Sequence, residues 1–262
     1  MLVMGVDIGA AASKTLILDD DKTLGSGIIH TGADVTETAY RVAEIALKQA
    51  GVSMNDLDFV MSTGWGRFSV DFAQKQESEV ICHAAGAHQV VPHARGVIDI
   101  GGQDSKAILM DEDGLVNDFI MNDKCAAGTG RFVETLCNIL EIELEDVGDL
   151  ALKGENPCLM ASACVVFAET EVVAYRAQKR PIEDIVAGVM KSLVKRVYAM
   201  ACHIRLDRLA ETIVFTGGTA KNPGLVKYLE RETETHLFVP EEPQIVGALG
   251  AALIAEQELS LQ

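Results

Sequence analysis

One order of elements occurs twice in this chain, and that duplication limits the fold more than any other feature. In the first copy a strand from Leu2 to Ile8 ends Asp7-Ile8-Gly9. The small turn Ala10-Ala11-Ala12-Ser13 leads into a strand from Lys14 to Leu18. The acidic turn Asp19-Asp20-Asp21-Lys22 and a third strand near Gly27-Ile28-Ile29 follow. In the second copy a strand from Gly96 to Ile100 ends Asp99-Ile100-Gly101-Gly102. Strands from Lys106 to Met110 and from Leu115 to Met121 follow, separated by Asp111-Glu112-Asp113-Gly114. Lys14 stands seven positions after Asp7, and Lys106 seven after Asp99. A repeat of this size predicts two related α/β half-domains facing each other. The division expected is 1–92 and 93–246, with a C-terminal helix over 247–262 packing back on the first half.

Between and after the copies, periodicity predicts further elements. A helix is expected over Glu37 to Ala50, with Val42, Ile45 and Ala46 inward and Gly51 as its stop. Phe59 to Ser62 reads as a strand, closed by Thr63-Gly64-Trp65-Gly66-Arg67. Ile185, Val189, Leu193, Val197, Met200 and Ile204 share one face of a helix over Ile182 to Ile204. Strands are expected over Glu211 to Phe215 and His236 to Val239. The run Val246 to Ala252 opens a small-residue helix.

Three glycine turns follow three expected strands, at Gly9, at Gly101-Gly102 and at Gly217-Gly218. Glycine lets a backbone approach a phosphate closely while its free N–H groups donate. Asp7 and Asp99 suit a Mg²⁺ ion held through water, and Lys14 and Lys106 each supply a point charge. The Walker A pattern is absent, which disfavours an ordinary P-loop.

Charge and hydropathy narrow the partners. With 39 acidic against 22 basic residues the net charge is -17. That excess repels nucleic-acid backbones and anionic membranes, yet leaves room for a nucleotide bound through backbone amides. No apolar run approaches the roughly 20 residues of a membrane span. The N-terminus has no basic segment of the kind that opens a secretory signal, so a reducing cytoplasm is expected.

Six cysteines, at 82, 125, 137, 158, 164 and 202, include no Cys-x-x-Cys pair. A self-contained zinc or ferredoxin-type site therefore has no local signature. Cys125 stands just before the small-residue turn Gly128-Thr129-Gly130, two alanines intervening, after which Phe132, Leu136 and Leu140 mark a helix. A thiolate near a helix N-terminus is stabilised in its metal-binding form. Taken alone, the segment fits a buried structural cysteine at least as well. Cys82, Cys137 and Cys202 read as structural, and the five-residue steps between His83, His88 and His93 place no metal site.

Several of these pieces together resemble a known family. GVDIGAAASK, VIDIGGQDSK and IVFTGGTAKNPG resemble the phosphate-1, phosphate-2 and adenosine motifs of the actin, sugar-kinase and heat-shock-protein ATPase superfamily. DIGGQDSK, NDKCAAGTGRF, SACVVFAETEV and STGWGR resemble the activator ATPases of 2-hydroxyacyl-CoA dehydratases, the BadF/BadG/BcrA/BcrD type, over essentially the whole chain. The resemblance implies a duplicated actin-like (ribonuclease H-like) fold with a nucleotide cleft. It implies ATP or ADP with Mg²⁺, bound by Gly9, Ala11, Ala12, Ser13, Lys14, Gly101, Gly102, Gln103, Lys106, Gly217, Gly218, Lys221 and Gln244, with Gly128 and Thr129 reaching the same nucleotide. Asp7, Asp99 and Asp104 are the implied catalytic carboxylates.

It further implies a [4Fe–4S] cluster bridging a homodimer, with Cys125 and Cys164 as each subunit's ligands and Cys158 as the runner-up. A second helix after Cys164, with Val165, Ala168 and Val172 as its period, would begin at the cluster. The implied activity is an ATP-dependent reductive activator. It receives an electron from a ferredoxin or flavodoxin and passes it to a 2-hydroxyacyl-CoA dehydratase or a related iron–sulfur reductase component. One departure stands out: Ala10-Ala11 replaces the family's usual Ser-Thr, removing two hydroxyl donors from the first phosphate turn. Two other readings use the same fold. An amino-sugar type kinase would need Asp104 beside a hydroxyl substrate, and an actin-like scaffold would bind ATP without catalysis.

Overall fold

The structure, a computed structural model, describes residues 1–20, 22–160 and 164–261. The acidic turn at Asp21 and the first two residues of the SACVVFAETEV motif lie outside the described residues. Each copy of the repeat builds one five-stranded mixed sheet. In the first, β1 (Leu2–Ile8), β2 (Ala12–Asp19) and β3 (Lys22–His30) form an antiparallel meander. After α1 (Val35–Ala50), the strands β4 (Phe59–Thr63) and β5 (Lys75–Gln76) continue the sheet in parallel, giving the order β3-β2-β1-β4-β5. α2 (Glu79–Val90) leads out of this half.

The second sheet repeats the plan. β6 (Gly96–Ile100), β7 (Ser105–Met110) and β8 (Val116–Asn122) form the meander. Among the described residues, the α-helices that intervene are α3 (Gly130–Leu140), α4 (Val147–Lys153), α5 (Val165–Ala177), α6 (Ile182–His203) and α7 (Leu206–Leu209). β9 (Ile213–Thr216) then pairs in parallel with β6, α8 (Pro223–Thr233) follows, and β10 (Leu237–Phe238) closes the order β8-β7-β6-β9-β10. α9 (Val246–Ser260) ends the chain. This is the duplication expected from the repeat, and it matches the actin-like architecture that the resemblance implies.

The register explains the shared spacing. Asp7 pairs with Lys14 across β1 and β2, and Asp99 with Lys106 across β6 and β7. Directly opposed residues on adjacent antiparallel strands put their side chains on the same face. A hairpin of fixed length therefore holds each aspartate beside its lysine.

Two helices join the halves. Val80, Ala84 and Ala87 of α2 pack with Val97, Ile108 and Val214 of the second sheet. Ala248, Ala251, Ala252 and Ala255 of α9 pack with Val3, Leu16, Phe59 and Met61 of the first. The two helices also touch each other, so closely that a Cβ on Gly250 would collide with the Cys82 carbonyl. Gly250→Ala is expected to lower stability at the upper end of the roughly 1–3 kcal/mol overpacking range. It should do so although alanine is the better helix former by about 1 kcal/mol. Thermal unfolding checks this, and an unchanged or raised midpoint would contradict the close crossing.

Two expectations on the helices need correction. Ile45 is 43% exposed. The buried stripe of α1 runs through Ala39, Val42, Ala43 and Ala46, and Ile45 sits at its edge over Gly27. The second correction concerns α2, α4 and α8, for which the sequence reading assigned no helices. α2 is covered on both sides, by the second sheet and by α9, so its apolar residues form no single stripe for periodicity to find.

Candidate nucleotide cleft and cysteine surface

A cleft of about 1030 Å³ opens where the ends of both sheets meet. Its floor is made from the three glycine turns. In the first, Gly9 N–H donates to the Ala12 carbonyl at 3.1 Å, and in the second, Gly101 N–H donates to Asp104 at 3.0 Å. The two turns face each other closely, since a Cβ on Gly102 would run into the Ala11 methyl. The third turn depends on Gly217, whose φ of +86° is open to glycine and strained for other residues. Its N–H donates to Pro243 at 3.1 Å, and neighbouring Gly218 lies against the Gln244 side chain. Val133, Leu144, Met190, Pro223 and Leu225 give the second half an apolar wall, suited to the flat face of a base.

Asp7, Gly9, Ala11, Ala12, Lys14, Asp99, Gly101, Gly102, Gln103, Asp104, Lys106, Gly217, Gly218, Lys221 and Gln244 all line this cleft. Three residues assigned to the nucleotide do not. Ser13 is buried behind the first turn, its hydroxyl 2.8 Å from that of Thr31, which in turn donates to the Gly9 carbonyl at 2.7 Å. Thr129 is also buried, and its hydroxyl donates to Ala126. Gly128 packs against Arg196. Gly130 and Arg131, one step further, are the residues that reach the cleft.

Charge in the cleft is arranged as two acid–lysine pairs of unequal depth. Lys14 Nζ lies 3.1 Å from Asp7 Oδ2. Lys106 is only 2% exposed and meets three carboxylates: Asp99 at 3.0 Å, Glu79 at 3.0 Å and Asp104 at 2.6 Å. Burial disfavours the Lys106 ammonium, but the three carboxylates outweigh it and hold its pKa well above the usual lysine value. Asp99 is subject to the same contest. Burial works against its charge, while His83, Lys106 and the Thr216 hydroxyl, 2.8 Å away, keep its carboxyl well below the usual range. Burial pushes Glu79 up.

Glu79, His83 and Thr216 were missed from the sequence. Glu79 and His83 belong to α2, whose two-sided burial hid the helix, and Thr216 lies in the IVFTGGTAKNPG motif but received no role there. Two aspartates at the floor of a phosphate-sized cleft fit a divalent cation that keeps most of its water shell. Among the described residues, no three His, Cys, Asp or Glu side chains group to hold a bare ion.

The cysteines separate by exposure. Cys82, Cys137 and Cys158 are buried, Cys125 and Cys202 half-buried, and Cys164 exposed. Burial raises the Cys82 thiol to about 12 and the Cys137 thiol to about 11, as suits structural thiols. Cys158 packs in the larger core, its N–H donating to Asp184 at 2.8 Å. Cys164 is the N-cap residue of α5, so a helix does begin there. Near Cys125, α3 begins at Gly130, within the glycines as expected and five residues past the thiol. Asn122 fixes the Cys125 loop, donating to the Cys125 carbonyl at 2.8 Å and to Ala127 at 3.0 Å. Val166 and Phe167, two and three residues after Cys164, are exposed, Phe167 at 64%, as are Leu159 and Val173.

One loop connects the two regions. Gly130 N–H donates to the Gly101 carbonyl at 2.9 Å and Arg131 N–H to Gly102 at 2.8 Å. The second phosphate turn is thus bonded to the start of α3, five residues along the chain from Cys125.

Known proteins are similar to this chain in sequence and fold. The sequence pattern of the BadF/BadG/BcrA/BcrD ATPase family matches residues 4–255. The 2-hydroxyisocaproyl-CoA dehydratase activator of Clostridioides difficile is 41% identical over 259 residues, spanning 98% of this chain and 96% of that protein. The crystal structure of Acidaminococcus fermentans (R)-2-hydroxyglutaryl-CoA dehydratase component A superposes with a TM-score of 0.94 at 37% identity, covering 99% of each chain. The activator of the 2-hydroxyisocaproyl-CoA dehydratase from Clostridium difficile, solved with bound ADPNP, gives a TM-score of 0.92 at 41% identity, covering 100% of this chain and 96% of that one.

Proposed function

The chain belongs to the BadF/BadG/BcrA/BcrD ATPase family, and on that premise we propose that it is an ATP-dependent reductive activator of a 2-hydroxyacyl-CoA dehydratase or a related iron–sulfur reductase component. The observation that carries this reading is the single loop bonded to the second phosphate turn at Gly130 and Arg131 and bearing Cys125. A change at the phosphates is transmitted along that loop to the thiol within one short stretch of backbone.

In the cleft, the backbone of the three turns cradles the phosphates of ATP, and Lys14 adds a point charge. Asp7 and Asp99 hold hydrated Mg²⁺, while Lys106 fixes the carboxylates of Asp99, Asp104 and Glu79 relative to one another. Two hydroxyl donors are missing at Ala10 and Ala11, so the first turn works through its amides. The division near residue 92 lets the two halves move on α2 and α9 as nucleotide comes and goes.

At the other end of the loop, one subunit offers two thiols, Cys125 and Cys164, and a cubane cluster takes four. The donor set fits a [4Fe–4S] cluster shared by a homodimer, and the exposed Val166 and Phe167, next to Cys164 in the chain, supply apolar surface for that contact. The cluster supplies one-electron storage at low potential. A ferredoxin or flavodoxin is the donor that fits such a role, and the cytoplasm the compartment. No described helix is long and apolar enough to cross a membrane.

The test is to purify the protein without oxygen, reconstitute it with iron and sulfide, and measure both per dimer together with the visible spectrum. About four irons per dimer are expected. A colourless protein after reconstitution would contradict the reading.

A further inference from the structure

Arg196 stands out on α6. It is half-buried in a chain with a large acidic excess, yet among the described residues no carboxylate pairs with it. Its guanidinium Nη1 points instead at the Cys125 sulfur, 3.9 Å away. The aliphatic stem lies along the Cys125 loop, so that a Cβ on Gly128 would sit 3.1 Å from Arg196 Cδ. A guanidinium is charged at every accessible pH and is poorly accommodated in a half-buried place without an anion. A neutral thiol is a weak partner for it, whereas a metal-bound thiolate is a strong one.

We propose that Arg196 tunes the reduction potential of the iron–sulfur cluster at Cys125, by placing a fixed positive charge and a donor against that ligand's sulfur. This rests on the proposed function, which puts the cluster there. Adding an electron makes a thiolate-bound cluster more negative. A cation and a hydrogen bond at one sulfur therefore favour the reduced state and raise its potential. Arg196 acts through Cys125 and is a positioning residue, with no contact to nucleotide required.

The experiment uses the reconstituted homodimer titrated anaerobically with dithionite and low-potential viologen dyes, in the wild type and in Arg196→Met, Arg196→Gln and Arg196→Lys. Met keeps the stem that packs on Gly128 and removes the charge, whereas Lys keeps a charge. Wild-type iron content is expected in Met and Gln, with the reduced-to-oxidised ratio at a fixed potential lowered about tenfold. That factor is a midpoint about 59 mV more negative for one electron. Lys is expected to stay within about threefold of wild type, as the surviving charge dictates. A wild-type midpoint in Arg196→Met would overturn the proposal, and so would a Lys variant as shifted as Met. Loss of iron in both uncharged variants with retention in Lys supports the charge role, while loss in all three assigns Arg196 to packing and overturns it. Failure of the wild type itself to bind iron is a different result, which removes the cluster reading before any variant is compared.

Discussion

Lys106→Met is expected to destabilise the protein by about 3–5 kcal/mol at neutral pH, the usual cost of removing one partner from a buried ion pair. Methionine fills most of the volume, so the loss comes from charge and not from a cavity. The ammonium is buried and is the only cation within 4 Å of Glu79 and Asp104 among the described residues, as well as an ion-pair partner of Asp99. Without it, the buried Asp99 and the half-buried Glu79 and Asp104 face one another with no cation between them, and the favourable response is to take up a proton. The sign of the pH dependence follows. In the wild type, the depressed Asp99 contributes stability above the unfolded carboxylate value, lost as pH falls, and the raised Lys106 contributes stability lost only as pH climbs through its folded value. In the variant, at least one carboxyl has a folded pKa raised above its unfolded value, so its contribution is present at low pH and lost as pH rises. The deficit against wild type should therefore be smallest near pH 5 and grow toward pH 8. Urea unfolding at those two values checks it. A deficit below about 1 kcal/mol at pH 8, the level of an exposed pair, would show that the lysine is not the buried keystone described.

Cys164→Ala is expected to take iron from about four per dimer to essentially none, with ATP binding unchanged within about twofold. The thiol makes no cap bond to α5 and is exposed, so its removal costs the fold little. It also lies outside the residues that line the nucleotide cleft. Cys158→Ala is the matched control. That side chain is buried in the larger core, so the variant should keep its iron and lose some stability. Parallel iron assays and nucleotide titrations separate these outcomes. A Cys164 variant with full iron, or a Cys158 variant without it, would reverse the assignment of the two ligands.

The parts of this fold legible from the sequence were those that repeat or that bury one face. The seven-residue step from aspartate to lysine carried information about topology because a hairpin of fixed length makes the two residues direct neighbours. α6 was equally plain, its inward stripe falling on Ile185, Val189, Leu193 and Val197. The obscure parts were those whose environment is symmetric or distant in sequence. α2 is packed on two sides and shows no stripe, which concealed Glu79 and His83 at the floor of the cleft. At Cys125 the start of the following helix, within the glycines, was legible. The group that faces its sulfur comes from Arg196, which no local pattern connects to it. The same distance principle applies to Gly128 and Thr129, which share a turn with the cleft-lining Gly130 yet point away from the cleft.

Magnitudes bear on how ATP is used. A typical coupling of about 1–3 kcal/mol between sites corresponds to only about 40–130 mV for one electron. Under the proposed function, an acceptor several hundred millivolts lower would be beyond binding alone, and hydrolysis, or a large change around the cluster, would have to make the transfer irreversible. In that proposal, the loop bonded to Gly101 and Gly102 at Gly130 and Arg131 is the path from the phosphates to Cys125.

The most direct measurement combines both ends of that path. The pre-reduced homodimer is mixed anaerobically with a 2-hydroxyacyl-CoA dehydratase component, with ATP, with ADP or with no nucleotide. Acceptor reduction and phosphate release are followed together. The account predicts that the acceptor is reduced only in the presence of ATP and that ATP is hydrolysed as it happens. Equal reduction in all three mixtures would contradict it.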